Sequence, residues 1–450
     1  MADCTGSLTL AAGGDAIVAR RLSVLNGHDR FDEVIDPIRD ADVGFANLET
    51  LLHEGDVFPA AYTSGYLAAS PEITDEFDYL GIDLVSTANN HAADGWHRGM
   101  HTTIETLEAS SLSFAGLGRT LTEAWQPAYV DTAAGRVALI ATCSTVPPGG
   151  HAGPESAIVN GRPGIAPLRL TSTYVVPEDH YEQLQTISEE LGFEAIKQWR
   201  RESGIPDPSE NFDFFNADLL SFTNADQFHL QFEPGDEFAV QRHPYQTDVE
   251  MLRRQIEYAD RQADWVLVSV HSHEAAGAWI NQSSIPTFLE TVARDCVDAG
   301  ADAILGHGAH TLRGIELYNG TPIFYGLGNF VAHIESVERL PASMYMALGL
   351  DPTTDTAADV YDRLDIHDAD EYWESVLPVC QLTNEGLRSI TLHPIDLGAD
   401  RPRSQRGTPL RAETDHGEEI LDRLVELSSP YGIDISVEDG YGRIVPDENT

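Results

Sequence analysis

Lysine is almost missing from this chain. Lys197 is the only lysine among 450 residues, so arginine carries nearly all of the positive charge. The 27 basic residues face 73 acidic ones, which gives a formal net charge of −46. A surface of that sign repels phosphate backbones and anionic lipid head groups. The charge balance therefore argues against nucleic acid and against an anionic membrane as partners.

Cysteines and long apolar runs are also scarce. Cys4, Cys143, Cys296 and Cys380 are scattered and form no CxxC pair, which argues against a disulfide framework and against a thiolate zinc site. No stretch approaches the roughly 20 apolar residues that a membrane-spanning helix needs. The N-terminal residues show neither a basic segment nor the apolar core of a secretion signal. We expect a cytoplasmic protein with no direct insertion into a membrane.

The acidic residues are spread along the whole chain and are not gathered in a tail. Such a surface repels itself unless salt screens the charges, and the Debye length shrinks to about 3 Å at 1 M salt. We therefore predict a halophilic protein from a salt-loaded cytoplasm.

The order of strand-like and helix-like segments predicts an α/β layered core. Short apolar runs at residues 7–12, 43–49, 82–88, 265–270 and 303–305 favour buried strands, and amphipathic segments between them favour helices. Asn319-Gly320 separates two further strands and is typical of a hairpin turn. We predict three parts: a core formed by residues 1–147 and 246–340, an insertion at 148–245 that borders the site, and an extension at 341–450 that completes the core.

Polar side chains follow five of these predicted strands, and ligands in α/β folds bind beyond the carboxyl ends of strands. The side chains are those of Asp15, Glu49, Asn90, His91, His271, His273, His307 and His310. Singly, each has an ordinary explanation. Asp15, Asn90 and Asp94 are suitable helix caps, Glu49 is a candidate solvated acid, and the histidines are candidate surface residues. Their joint occurrence at strand ends favours a common site.

The types of side chain at these strand ends predict the chemistry. Carboxylate, amide and imidazole ligands together suit Mn, Zn or Fe and differ from a thiolate structural site. Glu49 is the natural bridge between two divalent ions, which would activate a water and stabilise both oxygens of a hydrolysed ester. His91 would then be the general acid for the leaving group, with Asp94 holding its other ring nitrogen.

The same segments carry a resemblance to a known family. The matching motifs are Gly14-Asp15, Phe45-Ala-Asn-Leu-Glu49, Thr87-Ala-Asn-Asn-His91 with Asp94-Gly95, Val268-Ser-Val-His271, Gly306-His-Gly-Ala-His310 and Tyr325-Gly-Leu-Gly-Asn-Phe330. The chain resembles the CapA family of capsule and poly-γ-glutamate synthesis proteins, which have the calcineurin-like metallophosphoesterase fold. The resemblance implies an α-β-β-α sandwich that carries the insertion and the C-terminal extension.

The resemblance also implies which residues bind metal. One ion would be held by Asp15, Glu49 and His310, and the other by Glu49, Asn90, His271 and His307. Substrate contacts are expected from five further polar residues in or near these motifs: Asn47, His273, Glu274, Arg313 and Asn329. Five other histidines are predicted to lie outside the site: His53, His97, His101, His151 and His333.

Two departures from the family pattern stand out. Metallophosphoesterases usually have a histidine two residues after the first aspartate, and here that residue is Ile17. Where CapA proteins often have His-Trp-Gly-x-Glu, this chain has His271-Ser-His273-Glu274, which makes His273 a candidate additional ligand or substrate contact.

The resemblance implies a hydrolase-type protein linked to poly-γ-glutamate or capsule synthesis, with a phosphoester or related anionic small molecule or polymer as substrate. Two alternatives stay open. One is a non-catalytic binding or scaffold component of a polymer-synthesis complex. The other is a small-molecule phosphoesterase with no link to capsule.

Overall fold

A computed structural model of the chain describes residues 6–60, 65–192, 195, 198–199, 202–203, 231–277, 279–364 and 370–446. In chain order the strands are β1 (Ser7–Ile17), β2 (Val43–Leu48), β3 (Leu51–Leu52), β4 (Ala68–Ala69), β5 (Leu84–Ser86), β6 (Ser113–Ala115), β7 (Leu117–Gly118), β8 (Ala128–Thr132), β9 (Gly135–Cys143), β10 (Gly164–Ile165), β11 (Leu170–Pro177), β12 (Gln231–Gly235), β13 (Ala239–Pro244), β14 (Trp265–His271), β15 (Ala303–His307), β16 (Ile315–Tyr318), β17 (Thr321–Phe324), β18 (Asn329–Ala332), β19 (Glu374–Thr383), β20 (Gly386–Asp396), β21 (Leu410–Arg411), β22 (Ser436–Glu438) and β23 (Tyr441–Ile444). The α-helices are α1 (Asp29–Arg39), α2 (Thr74–Leu80), α3 (Trp96–Glu108), α4 (Leu121–Ala124), α5 (Glu178–Glu190), α6 (Gln246–Asp260), α7 (Thr287–Asp298), α8 (Ala342–Ala347), α9 (Ala357–Leu364) and α10 (Thr414–Ser428).

Two large sheets form the centre of the molecule. The first has the order β22-β23-β20-β19-β1-β2-β5-β6, and in addition β18 pairs with β1 and β21 pairs with β20. The second has the order β16-β17-β15-β14-β9-β8. β1, β2 and β5 run parallel in the first sheet, and β9, β14, β15 and β17 run parallel in the second. The C-terminal strand β19 pairs antiparallel with β1.

The strands alternate side chains between an inner and an outer layer. Leu8 and Leu10 of β1 enter a core between the two sheets, where they join Leu139 of β9 and Leu267 of β14. The intervening residues face outward, as the period of two in a strand requires. Ala11 packs with the apolar residues of α1 and α2, and the outward residues of β9 and β14 pack with α6 and α7. This confirms the predicted α/β sandwich with helices on both outer faces.

The predicted hairpin is also confirmed. β16 and β17 pair antiparallel, with Tyr318 opposite Thr321. Asn319 and Gly320 both have positive φ, 50° and 82°, which a type I′ turn of two residues requires.

The first strand is longer than the sequence predicts. β1 was expected to end before Asp15, but it continues to Ile17, because Asp15 pairs with Asn47 of β2 and with Asn329 of β18. Gly14 permits this close approach, since a Cβ there would lie 2.0 Å from the carbonyl oxygen of Gly328. Asp15 is therefore held inside the sheet and not on a loop beyond it.

A smaller sheet of order β12-β11-β13 lies within residues 148–245. The same range also contains α5, and part of the chain between α5 and β12 falls outside the described residues. No helix in the described part of the chain has both the length and the apolar character that crossing a bilayer requires.

Candidate metal centre

Polar side chains from both sheets meet in one buried cluster. Asp15 Oδ1 of β1 lies 3.3 Å from Nδ1 of His307, at the end of β15. Asp15 Oδ2 lies 3.4 Å from Nδ1 of His310, in the loop that follows. The backbone N–H of Gly308 donates to Asp15 Oδ2 at 2.9 Å, which anchors that loop. The carboxyl ends of strands in the two sheets are thus held together by one carboxylate.

His271 and His307 occupy equivalent positions on neighbouring strands. They are register partners at the ends of β14 and β15, and their Nδ1 atoms lie 2.9 Å apart. The other ring nitrogen of His307 lies 2.7 Å from Ser269 Oγ. Ser269 precedes His271 by two residues, so strand alternation places both on one face.

Glu49 lies completely buried just after β2. Its Oε1 lies 3.9 Å from His271 Nε2 and 4.0 Å from His91 Nε2, and it has no hydrogen-bond partner among the described residues. His91 Nδ1 lies 2.8 Å from Asp94 Oδ2, and the same oxygen accepts from the backbone N–H of Leu67. His91 is therefore held at one nitrogen while the other is directed towards Glu49.

His273 is fixed with its Nε2 in the cluster. That atom lies 3.0 Å from His271 Nε2 and 3.2 Å from Asn90 Oδ1. Its other nitrogen, Nδ1, lies 2.6 Å from Asn281 Oδ1, and the backbone N–H of Asn281 donates to the carbonyl oxygen of His273. Asn281 therefore contacts both the ring and the backbone of His273.

His310 has a strained backbone. Its φ is 58°, a left-handed value that a non-glycine residue adopts at a cost and that often marks functional sites. Its Nδ1 lies 3.0 Å from Asn329 Oδ1, and the Asn329 side-chain amide donates to the carbonyl oxygen of Tyr372. In this conformation the His310 ring lies next to Asp15.

Burial and neighbouring charge set the protonation of the cluster. Burial, reinforced by the charge of Asp15, raises the pKa of Glu49 well above its ordinary value. Burial lowers the pKa of His271 well below the ordinary value and lowers that of His273 to about 3. Burial opposes charge on Asp15 and on His310 too. Hydrogen bonds from His307 and His310 nevertheless lower the pKa of Asp15, and the hydrogen bond to Asp15 and its charge raise the pKa of His310.

The residues present fit divalent cations. Two groups of three side chains can each direct one ligand atom to a common point, with those atoms within 4.8 Å of one another. The groups are Asp15, His271, His307 and Glu49, His273, His310. The Nε2 atoms of His271 and His273 face each other at 3.0 Å, and the buried Glu49 Oε1 has no hydrogen-bond partner among the described residues. This donor set is typical of Mn, Zn or Fe sites.

The remaining expected contact residues lie beside this cluster. The Asn47 side-chain amide donates to Asp15 Oδ1 at 2.8 Å. Glu274 Oε2 accepts from three hydroxyls, those of Ser144, Thr145 and Ser272. The buried Arg313 guanidinium donates to backbone carbonyl oxygens, including that of Glu274 at 2.7 Å. These contacts of Glu274 and Arg313 are with the protein itself and support the loop after β14.

Asn89 supports the loop that carries Asn90 and His91. The sequence motifs did not identify it as a site residue. Its side-chain oxygen accepts from Ala92 N–H, so Asn89, and not Asn90, caps the short 3₁₀ helix there. Its amide donates to Asn47 Oδ1 and to the carbonyl oxygen of Leu48. Adjacency to Asn90 was a usable sequence signal for Asn89. For Ser269 the only sequence signal was strand alternation, which places it on the same face as His271. For Asn281 the sequence carried no such signal.

The five histidines predicted outside the site belong to neither metal-binding group. They are His53, His97, His101, His151 and His333. His53 Nε2 lies 2.9 Å from the Tyr66 hydroxyl. His333 is buried, neither ring nitrogen has a partner among the described residues, and burial lowers its pKa well below the ordinary value.

Comparison with known proteins gives a consistent result. The family model described as bacterial capsule synthesis protein PGA_cap matches residues 9–333. Uncharacterized protein y4sH of Sinorhizobium fredii is 32% identical over an alignment of 467 residues, covering 98% of this chain and 95% of that protein. PGA biosynthesis protein CapA of Bacillus subtilis is 43% identical over 84 residues, 19% of this chain and 21% of that protein. The probable polyglutamine synthesis accessory protein Rv0574c of Mycobacterium tuberculosis is 34% identical over 99 residues, 21% of this chain and 24% of that protein.

Proposed function

The chain belongs to the bacterial capsule synthesis protein PGA_cap family, and from that premise we propose that it is a metal-dependent hydrolase acting on a phosphoester or a related anionic ester. The observation that carries the proposal is the convergence of two carboxylates and four imidazoles from separate strand ends. Such a set is costly to bury without a cation, because neither carboxylate forms a salt bridge with a lysine or arginine among the described residues.

We assign three protein ligands to each of two cations. Asp15, His271 and His307 would hold the first, and Glu49, His273 and His310 the second, with Asn90 Oδ1 close to both His271 and His273. When bound, such a pair of ions lowers the pKa of a water and stabilises negative charge on the substrate oxygens. In this assignment His273 is a ligand, whereas Ile17, which stands where the superfamily usually has a histidine, cannot be one.

His91 is the proposed proton donor. Hydrolysis joins a water oxygen to phosphorus and breaks the bond between phosphorus and the leaving oxygen. His91 Nε2 gives its proton to that leaving oxygen, and a proton from the attacking water then reprotonates His91, so that the proton count balances over one turnover. Asp94 Oδ2, 2.8 Å from His91 Nδ1, fixes the ring with the proton-donating nitrogen towards the centre.

The names of two relatives favour a second candidate function. One is named for PGA biosynthesis and another as an accessory protein of polyglutamine synthesis. By analogy, this chain would act beside a polymer synthase without turnover, as part of a synthesis complex, with its cations serving structure alone.

We also propose a salt-loaded cytoplasm as the working environment, because a formal charge of −46 needs screening. Screening would at the same time let an anionic substrate approach this acidic surface.

Turnover of 4-nitrophenyl phosphate distinguishes the two candidates. The protein loaded with Mn²⁺ should hydrolyse this ester, His91→Ala should lose at least about 100-fold in kcat, and both proteins should hold the same amount of metal. His28→Ala, which changes an exposed histidine, should retain full activity. Metal bound without turnover by the wild-type protein would contradict the hydrolase and support the accessory function.

A further inference from the structure

A pocket opens directly beside the metal centre. It has a volume of about 280 Å³, and His91, His310, Asn281 and Asn329 form the side nearest the ligands. His91 is the proposed proton donor and His310 a proposed ligand. A group that occupies this pocket would therefore lie next to the bond that is cleaved.

The rest of the pocket wall is apolar and aromatic. Residues that form it include Ile17, Tyr66, Met344, Tyr361, Leu364 and Trp373. Among the described residues, no lysine, arginine, aspartate or glutamate lines the pocket. A carboxylate that entered would lose its hydration without gaining a cationic side chain, which is strongly unfavourable.

Two tyrosines of the pocket wall, Tyr66 and Tyr361, have hydroxyls that already contact the protein. The Tyr66 hydroxyl lies 2.9 Å from His53 Nε2, and the Tyr361 hydroxyl donates to the carbonyl oxygen of Val337 at 3.0 Å. Because both polar ends are already satisfied by the protein, these residues offer the pocket their aromatic surface.

Ile17 connects the apolar wall to the departure from the family motif. It is completely buried and packs with Leu67, Val337 and Tyr361, and it lines the pocket. A histidine at this position would place a polar ring in the wall. The isoleucine therefore removes one potential ligand and at the same time makes the wall beside the centre apolar.

We infer that the substrate carries an uncharged apolar group, an aromatic ring or a branched aliphatic chain, on the leaving oxygen, and that this group binds in the pocket beside the metal centre. The inference rests on the proposed function, because the metal centre must hold the anionic half. The volume is sufficient, since an apolar cavity of about 150 Å³ holds benzene. A γ-glutamyl chain, with a carboxylate on every residue, does not suit this wall.

Binding of two non-hydrolysable phosphonates to the Mn²⁺-loaded protein, measured by calorimetry, tests the inference. Phenylphosphonate should bind at least about tenfold more tightly than methylphosphonate, because only the phenyl ring fills the pocket. Leu364→Glu introduces a charge at a position of the wall where the side chain is 38% exposed. It should reduce that ratio to about two or less, because the phenyl ring would then lie against a charge.

Met344 and Met346 provide a matched pair on α8. Met344 lines the pocket and Met346 is 68% exposed outside it. Met344→Gln should lower the phenyl preference, and Met346→Gln should keep it. Equal affinity of the wild-type protein for both phosphonates would overturn the inference and leave the metal centre intact. Absence of both metal and phosphonate binding would overturn the proposed function, and the inference with it.

Discussion

His271 and His307 face each other at the ends of two parallel strands, with their Nδ1 atoms 2.9 Å apart. Asp15 Oδ1 lies 3.3 Å from the same nitrogen of His307. Two imidazoles can share a proton at this distance or direct both lone pairs to a cation. Because Asp15 supplies negative charge at the same point, we interpret the trio as the first cation site.

The proposed second cation site includes His273, a histidine outside the usual family motif. His273→Ala should remove about one of two bound ions, or weaken the second by at least about 100-fold, because a ligand and not a supporting residue is lost. Titration of the protein with metal, monitored by calorimetry, measures the number of bound ions and their affinities. Asn281→Ala, which frees the His273 ring, should weaken the same ion by about tenfold. His28→Ala is the control, and an unchanged second ion in His273→Ala would contradict the assignment.

The role of His91 predicts a dependence on the leaving group. A proton donor matters most for poor leaving groups. His91→Gln should therefore slow hydrolysis of an alkyl phosphate at least about tenfold more than that of 4-nitrophenyl phosphate. Asp94→Asn should have the same pattern with a smaller loss, since it misorients the ring and leaves it in place. Equal losses for both esters would indicate that His91 only positions substrate.

The burial of His393 in β20 predicts that the stability of the fold decreases in acid. Burial, with a smaller contribution from Arg411, lowers the pKa of His393 to about 4 from an ordinary 6.5. A depressed folded-state pKa means that the unfolded chain binds the proton first, so stability is complete above pH 6.5 and is lost as the pH falls towards 4.

The variant His393→Phe should remove this loss while keeping the ring packed on Tyr441. Between pH 7 and pH 4.5 the wild-type free energy of unfolding should fall further than that of the variant, by on the order of 2 kcal/mol. Urea unfolding at each pH measures the difference. His28→Phe, at an exposed position, should behave like the wild type, and identical pH profiles for all three proteins would refute the prediction.

The acidic surface predicts stabilisation by salt. A formal charge of −46 destabilises the compact state by self-repulsion. Raising KCl from 0.1 to about 2 M, where the Debye length falls below about 3 Å, should therefore raise the melting temperature by several degrees. NaCl and CsCl at equal concentration should act alike if screening is the cause. A melting temperature independent of salt would contradict the halophilic interpretation.

Much of the fold could be predicted because apolar periodicity marks strands locally. The hairpin at Asn319-Gly320 followed from residue types alone, since only residues that tolerate positive φ suit that turn. The strand ends were found in the same way. The extension of β1 through Asp15 was missed, because it depends on pairing with Asn329, which lies more than 300 residues away in the chain.

The two candidate ligand groups could not be predicted from local pattern. The family resemblance implies a site with His271, His307 and Glu49, whereas the side chains that could direct ligand atoms to a common point are Asp15, His271 and His307 in one group and Glu49, His273 and His310 in the other. This difference arises from ring orientations across two sheets. Asn281 fixes one of those orientations from a loop whose sequence carries no motif, so only the folded structure could reveal its role.

Metal content is the most direct test of the central claim that two cations bind where the sheets meet. After incubation with Mn²⁺, Zn²⁺ or Fe²⁺ and removal of free metal, elemental analysis should find about two ions per chain in the wild-type protein and about one in Glu49→Gln. Glu72→Gln, at an exposed acid, should retain two. A wild-type protein that binds none of the three metals would contradict the account.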